Sequence, residues 1–336
     1  GYLTHATHHD PEKYPALFYT FWGMTALLVG TFGFFGLHTL AWLPRSWKLR
    51  GETLRHRSLS ANAAGSKQYV RFTPFERKLH LTVILSFFGL ALTGMMLKFS
   101  YTPWAQVLFT LLGGMDTAGW IHRICAILTF ANFFLHVGSL TRSIVRSTNR
   151  KGFFWGPDSM VPQPKDLRDL IQMFNWFLGR GEQPRFDRFS YLDKFDYFAE
   201  FFGVTIIGAS GFLLWFPEFF SGLLPGWIFN IATIVHGYES LLAMSFIFTI
   251  HFFNVHLRPE KFPIDLVIFT GRATTAYMKE EHPLEYERHR AAGTLDALTA
   301  PPVSRTGYWM SMVFDVVSAA VGVFLVILVI WAIFVS

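Results

Sequence analysis

The sequence predicts an all-α membrane protein with six transmembrane helices. Three observations predict this class: the composition, the number of long apolar stretches and the distribution of basic residues. Of the 336 residues, 51% are hydrophobic, 18% are aromatic and only 15% are charged, whereas a soluble domain usually carries about 25% charged residues. Such a composition is typical of a chain that is largely surrounded by lipid.

A helix needs roughly 20 mostly apolar residues to cross a bilayer, and six stretches of the chain meet this requirement. They lie at 17–43, 80–99, 119–140, 197–216, 227–256 and 309–335. The fifth stretch is long enough to project past the bilayer. The sixth contains no histidine and runs to the last residues, which favours a helix at the periphery of the bundle.

The basic residues predict the orientation of the chain. Connections 44–79, 141–196 and 257–308 contain nine, ten and seven Lys and Arg residues, which together are 26 of the 29 in the sequence. The connections after the second and fourth stretches contain none. Because Lys and Arg accumulate in cytoplasmic connections, the three basic connections are predicted to be cytoplasmic and both termini to lie outside. The net charge of +6 then reflects orientation, and we expect no nucleic-acid partner.

Segment 164–180, PKDLRDLIQMFNWFLGR, carries its apolar residues at helical spacing within the second basic connection. This pattern predicts an amphipathic helix. The helix either lies on the cytoplasmic membrane surface or packs against the cytoplasmic ends of the spans.

The single cysteine, Cys125, excludes a disulfide within the chain, and the absence of a C-x-x-C-H motif excludes covalent attachment of c-type haem. Gly1 stands where an initiator Met would be, and no signal-peptide pattern follows it. We therefore expect either a processed end or a further segment upstream.

Histidines inside the apolar stretches carry the chemical signal. On an α-helix, His122 and His136 are about 21 Å apart along the axis and differ by about 40° around it. His236 and His251 are about 22 Å apart and differ by about 60°. Each pair therefore lies on one face of its helix, with one member near each membrane surface.

The helix directions predict which histidines share a depth. His122 and His236 are expected near the outer surface, and His136 and His251 near the inner surface. The second span runs the opposite way, which places His80 near the inner surface as well. Two imidazoles at one depth on facing helices are the arrangement that bis-histidine haem ligation in a bundle requires.

Two depths predict two haems of b type. The outer haem has one clear ligand pair, His122 with His236. At the inner depth both His80 and His136 compete to face His251, which leaves that pairing open. Two further histidines, His38 and His256, are also at inner depth, so a third haem stays open too.

Other residues fit this arrangement. Arg123, beside His122, either binds a haem propionate through charge-assisted hydrogen bonds or extends to the outer surface. The fourth span contains Gly203, Gly208 and Gly211, which allow close approach of a helix or of a flat macrocycle.

Several motifs resemble a known family. They are RFTPFERKLH with LALTG after it, IHRICAILTF with a later histidine, and VHGYESLLAMSFIFTIHFF. Over about 70–290 the chain resembles the b-type cytochrome subunits of membrane formate dehydrogenases, NiFe hydrogenases and thiosulfate reductases. LHTLAWLPRS and HLRPEKFPIDLVIFTG are similar to modules attached to multihaem c-type cytochromes in menaquinone-linked bacterial chains.

The resemblance implies a four-helix core, two haems and exchange of electrons with a quinone. Matching the family motifs onto this sequence gives His122 with His236 and His80 with His251 as ligand pairs. His136 departs from that scheme. The resemblance also implies a bacterial inner membrane, so the two termini that the basic connections place outside would lie in the periplasm.

The expected organisation has three parts. Residues 1–69 contain a periplasmic tail, the first transmembrane helix and a basic cytoplasmic loop. Residues 70–290 contain the haem-binding core with the amphipathic helix, and residues 291–336 contain a linker and the peripheral helix.

The predicted function is electron transfer between menaquinone or another quinone and a periplasmic redox partner, such as a multihaem c-type cytochrome. The chain would then be the electron-transfer subunit of a quinone oxidoreductase complex. Quinone chemistry needs an ionisable group near a haem, and the candidates are Glu239, Glu200 and His256. Two alternatives are a haem-free transporter or proton channel with a histidine relay, and a membrane anchor for a periplasmic enzyme.

Overall fold

The computed structural model describes residues 8–48, 67–258, 261 and 264–335. It contains six long apolar helices, which confirm the predicted fold class. We label them α1 Pro15–Lys48, α2 Pro74–Lys98, α3 Met115–Arg146, α4 Tyr191–Trp215, α5 Trp227–Phe246 and α6 Arg305–Val335. Residues 1–7 of the predicted tail, with His5 among them, and half of the first basic connection, 49–66, lie outside the described residues.

Capping residues explain why two of the helices begin before their apolar stretches. Thr73 and Glu76 form a capping box at the start of α2, with Pro74 in the first turn. Ser190 and Asp193 form another at the start of α4. These side chains satisfy backbone N–H groups that a helix leaves without partners, so each helix begins in the polar sequence that precedes its span.

The fifth span changes its winding near its end. After Phe246 the helix continues as two π-helical segments, Ile247–His251 and Phe253–Leu257. A π-helix closes its hydrogen bonds over five residues, so each residue turns by less than the 100° of an α-helix. The 60° expected between His236 and His251 is therefore reduced, and the two side chains lie closer to one face.

Two short helices follow α2 and α4 at one end of the bundle, Pro103–Leu112 and Pro217–Ser221. The other connections carry more short helices: Arg150–Trp155, Pro164–Phe177, Val267–Thr270, Thr275–Glu281, Pro283–Ala291 and the 3-10 turn Asp296–Leu298.

A small sheet joins the first and third basic connections. Strand β1, Gln68–Val70, pairs antiparallel with β2, Arg272–Thr274, and with β3, Thr299–Ala300, in the order β2-β1-β3. The second basic connection meets the third where the Leu284 amide donates to the Phe186 carbonyl. All three basic connections thus come together, and we call this part of the molecule the basic end.

A buried ionic cluster reinforces the basic end. The Glu285 carboxylate, 2% exposed, accepts from the guanidinium groups of Arg71 and Arg188. Arg71 also donates to the Arg188 carbonyl and lies 3.0 Å from His282 Nε2. The His282 Nδ1–H donates to the Asp187 carbonyl at 2.7 Å. The cluster therefore links all three basic connections.

The sixth helix packs on the core along one face. Leu325 and Val329 of α6 are buried with Met95 of α2 and Met244 and Phe248 of the fifth span. Gly322 allows this contact, because a Cβ there would lie 2.5 Å from Phe248 Cδ1. Most of the other apolar residues of α6 are exposed, as expected for a helix at the edge of a bundle.

The amphipathic segment forms the helix Pro164–Phe177, and one face of it packs against the spans. Met173 and Trp176 are buried with Trp42 of α1 and Tyr191 of α4. A neighbouring stripe consisting of Leu167, Ile171 and Leu178 is exposed. Of the two interpretations, the structure shows the packed helix, with an additional apolar edge facing outward.

Candidate haem-binding site

The two histidines predicted at the outer depth lie opposite each other. His122 on α3 and His236 on α5 have ring centres 6.3 Å apart, and their planes make an angle of 71°. A metal ion held between two imidazole nitrogens at about 2 Å from each places the ring centres roughly 6 Å apart. The spacing of this pair therefore fits an iron atom with two axial histidines.

Hydrogen bonds fix the orientation of both rings. The Thr93 hydroxyl donates to the Gly89 carbonyl, so its oxygen accepts from the His122 Nδ1–H at 2.9 Å. The His236 Nδ1–H donates to the Ile207 carbonyl at 3.0 Å. Metal-binding histidines commonly donate the other ring N–H in this way, and both Nε2 atoms are left to bind iron.

Two glycines make room for these rings. A Cβ at Gly94 of α2 would lie 3.3 Å from His122 Cε1, and one at Gly211 of α4 would lie 2.9 Å from His236 Cε1. Gly94 was not among the glycines singled out from the sequence. Of those that were, Gly208 packs against Phe130, and Gly203 has open space around it.

At the second depth, His80 of α2 lies within electrostatic range of His251 and, to a lesser degree, of His256. The His251 Nδ1–H donates to Asp196 Oδ2 at 2.7 Å. Asp196 was missed in the sequence analysis. A signal was present, because Asp193, Asp196 and Glu200 recur at spacings of three and four residues on one face of α4.

The competing histidine, His136, has a different neighbour. Its Nε2 lies 2.9 Å from the Tyr197 hydroxyl, within hydrogen-bond distance. The nitrogen that would bind iron is thus already occupied by a residue of α4.

The two remaining histidines at this depth are buried and have polar neighbours. His38 Nε2 lies 2.6 Å from the Tyr191 hydroxyl, in a packed aromatic environment. His256 Nδ1 lies 3.0 Å from Oδ2 of Asp315, a residue of α6 that is 2% exposed. Asp315 was not among the residues predicted from the sequence to have a role.

Arg123 lies between two tryptophans. Its guanidinium carbon is 5.4 Å from the centre of the Trp120 ring and 5.8 Å from that of Trp215. Within the described ranges, no carboxylate forms an ion pair with Arg123.

The two candidate carboxylates differ in environment. Oε2 of Glu239 is buried and, among the residues that the structure describes, has no hydrogen-bond partner. Glu200 is exposed and lies within electrostatic range of His251 and Asp196. Glu239 is at the depth of His236, and Glu200 is at the depth of His251.

A helical bundle with paired imidazoles facing each other between apolar helices defines a membrane cytochrome of b type, an electron-transfer protein. The family model of the prokaryotic cytochrome b561 matches residues 71–258, more than half of the chain, and the chain belongs to this family. The resemblance inferred from the sequence motifs is confirmed. No curated protein matches the chain.

The matched region contains α2 to α5 and the four histidines that the resemblance implied as ligands. It ends before α6, so Asp315 lies outside it.

Proposed function

We propose that the protein binds two haems and carries electrons across the membrane between a quinone and a periplasmic redox partner. The ligand pairs are His122 with His236 and His80 with His251. Bound haem supplies reversible one-electron chemistry between ferric and ferrous iron. The observation that carries the proposal is the 6.3 Å spacing of His122 and His236, together with the hydrogen bonds that hold both Nδ1 atoms to neighbouring helices.

His80 is preferred to His136 as the partner of His251. The Nε2 atom of His136 is engaged by Tyr197, whereas His80 lies within electrostatic range of His251. His38 is assigned to packing, since its Nε2 is engaged by Tyr191.

The orientation follows from the charge of the connections. The basic end is proposed to face the cytoplasm, so His80 and His251 form the inner site and His122 and His236 the outer site. Both termini then lie in the periplasm, and the outer site is the one nearer to a periplasmic partner. A multihaem c-type cytochrome is the partner proposed.

Quinone chemistry moves protons together with electrons, so it requires an ionisable group near one of the sites. Glu239 is proposed for this task at the outer site, because its buried Oε2 has no partner among the described residues. Glu200 and His256 are the corresponding candidates at the inner site. Menaquinone is the proposed quinone. Arg123, which lacks a carboxylate partner within the described ranges, is proposed to bind a haem propionate.

The test is a haem count on the purified full-length protein and on single variants. The unmodified protein should contain two haems per chain, and His236→Ala and His251→Ala should each remove one. His136→Ala is the matched control and should retain both. Loss of the inner haem in His136→Ala but not in His80→Ala would refute the proposed inner pair.

Reduction by a quinol analogue tests the remainder of the proposal. Addition of a menaquinol analogue should produce the absorption bands of reduced b-type haem. A protein without haem would instead favour a histidine proton relay. A protein whose haems the quinol does not reduce would favour a membrane anchor.

A further inference from the structure

The two proposed sites differ in what their ligands hydrogen-bond to. At the inner site, His251 donates to the carboxylate of Asp196 at 2.7 Å. The second carboxylate oxygen, Oδ1, is buried and has no hydrogen-bond partner in the described part of the chain. Glu200, one turn further along α4, places a second carboxyl within electrostatic range of the same imidazole.

At the outer site the acceptors are neutral and the nearby charges are positive. His122 donates to a hydroxyl and His236 to a backbone carbonyl. Lys98 acts electrostatically on His236, and Arg123 acts on His122. Lys98 lies close to the ligand helix, since a Cβ at Gly237 would be 3.2 Å from its Nζ.

These differences act on the reduction potential in opposite directions. A carboxylate that accepts the Nδ1–H makes the imidazole more basic and more strongly electron-donating, which stabilises ferric iron. Negative charge nearby adds to this effect, because reduction brings one more electron to the site. Lysine and arginine near the outer ligands stabilise the reduced form instead.

We infer that Asp196 makes the inner site the one of lower reduction potential, and that electrons therefore run outward, from the basic end to the opposite end. The inference rests on the proposed function, which leaves the direction undefined. In this direction a quinol gives up two electrons and two protons at the basic end. The two electrons leave one at a time to a one-electron acceptor at the opposite end.

Asp196 is a positioning residue, because it acts through His251 and does not touch the iron. Its effect is therefore measured as a potential. In a redox titration of the haem-loaded full-length protein, followed by absorption, Asp196→Asn should raise the potential of one haem only. We expect a change of at least tenfold in the ferric-to-ferrous ratio at fixed solution potential, which is 59 mV for one electron.

Lys98→Gln is the reciprocal variant, since it removes a positive charge near the outer site. It should lower the potential of the other haem and leave the first unchanged. The affected haem is identified by repeating Asp196→Asn in the His236→Ala protein, which retains the inner haem. If Asp196→Asn loses haem, the direction of the Lys98→Gln shift and the order of the two potentials still test the inference.

Two results would overturn the inference. One is an Asp196→Asn protein in which neither potential moves. The other is an unmodified protein in which the inner haem has the higher potential. A count below two haems in the unmodified protein would refute the proposed function itself, which distinguishes that failure from the failure of this inference.

Discussion

Glu285 offers a quantitative test of how the basic end is held together. Replacement by Gln removes the only negative charge that Arg71 and Arg188 share in the described cluster, and the Arg71 side chain is 4% exposed. Removal of one partner of a buried ion pair costs about 3–5 kcal/mol. Arg71 keeps the Arg188 carbonyl and His282 as neighbours, so we expect the lower end, about 3 kcal/mol.

That loss is measurable as local opening. At about 1.4 kcal/mol per factor of ten, the opening constant of the helix Pro283–Ala291 should rise about a hundredfold. Amide hydrogen exchange on this helix measures the change directly. Glu287→Gln is the matched control, because the same helix carries it and its partner Arg185 is 52% exposed. An exposed pair contributes about 0–1 kcal/mol.

Two results would contradict a stabilising role for the Glu285 carboxylate. One is a change in exchange by the same factor for both substitutions, and the other is unchanged protection of the helix in Glu285→Gln. Either result would mean that the guanidinium groups are satisfied without the carboxylate.

Two further predictions concern a glycine and a histidine. Gly211→Ala should reduce haem content at the outer site, because the added Cβ would lie 2.9 Å from His236 Cε1; the haem-to-protein ratio measures this. Burial, followed by the nearby Arg71 guanidinium, lowers the pKa of His282 to about 4 from an ordinary 6.5. Between pH 4 and pH 6.5 the folded state therefore binds fewer protons than the unfolded state. The contribution of His282 to the free energy of unfolding is fully present above pH 6.5 and falls by about 3 kcal/mol in total as the pH is lowered towards 4. Hydrogen exchange at the basic end across this range measures it.

Both predictions have internal controls. Gly36→Ala, at a position with no atom within 4 Å of the added Cβ, should keep the full haem content. A reduction as large as that in Gly211→Ala would contradict the steric argument. Exchange protection in a His282→Asn protein should lose its dependence on pH between 4 and 6.5. If the dependence on pH persists in this protein, another titratable group causes it.

The sequence was sufficient to predict the six spans, because bilayer thickness sets the length of an apolar helix. Their ends were less well predicted. Thr73 and Ser190 extend α2 and α4 into polar sequence by capping, and hydropathy contains no information about caps. The π-helical winding after Phe246 was also missed, since a wider turn arises from packing and leaves no periodic signal in so short a segment.

Helical geometry was sufficient to place His122 and His236 at one depth. The depth of a residue in a span follows from the rise per residue, and the face on which it lies follows from the turn per residue. The choice between His80 and His136 depends on a third helix, through Tyr197. That contact is tertiary and invisible to periodicity. Asp196 could have been noticed as part of an acidic face, but its bond to His251 depends on how α4 is rotated against the fifth span.

The small sheet at the basic end has a consequence for biogenesis. Its central strand begins at Gln68, and its partners Thr274 and Ala300 are more than 200 residues later in the chain. Pairings of such long sequence separation form slowly and late. Five spans must therefore be synthesised before the sheet can close, and ribosome-bound chains that stop short of residue 300 should lack it. Closure of the sheet would then mark a late stage of assembly, after the first five spans have been synthesised.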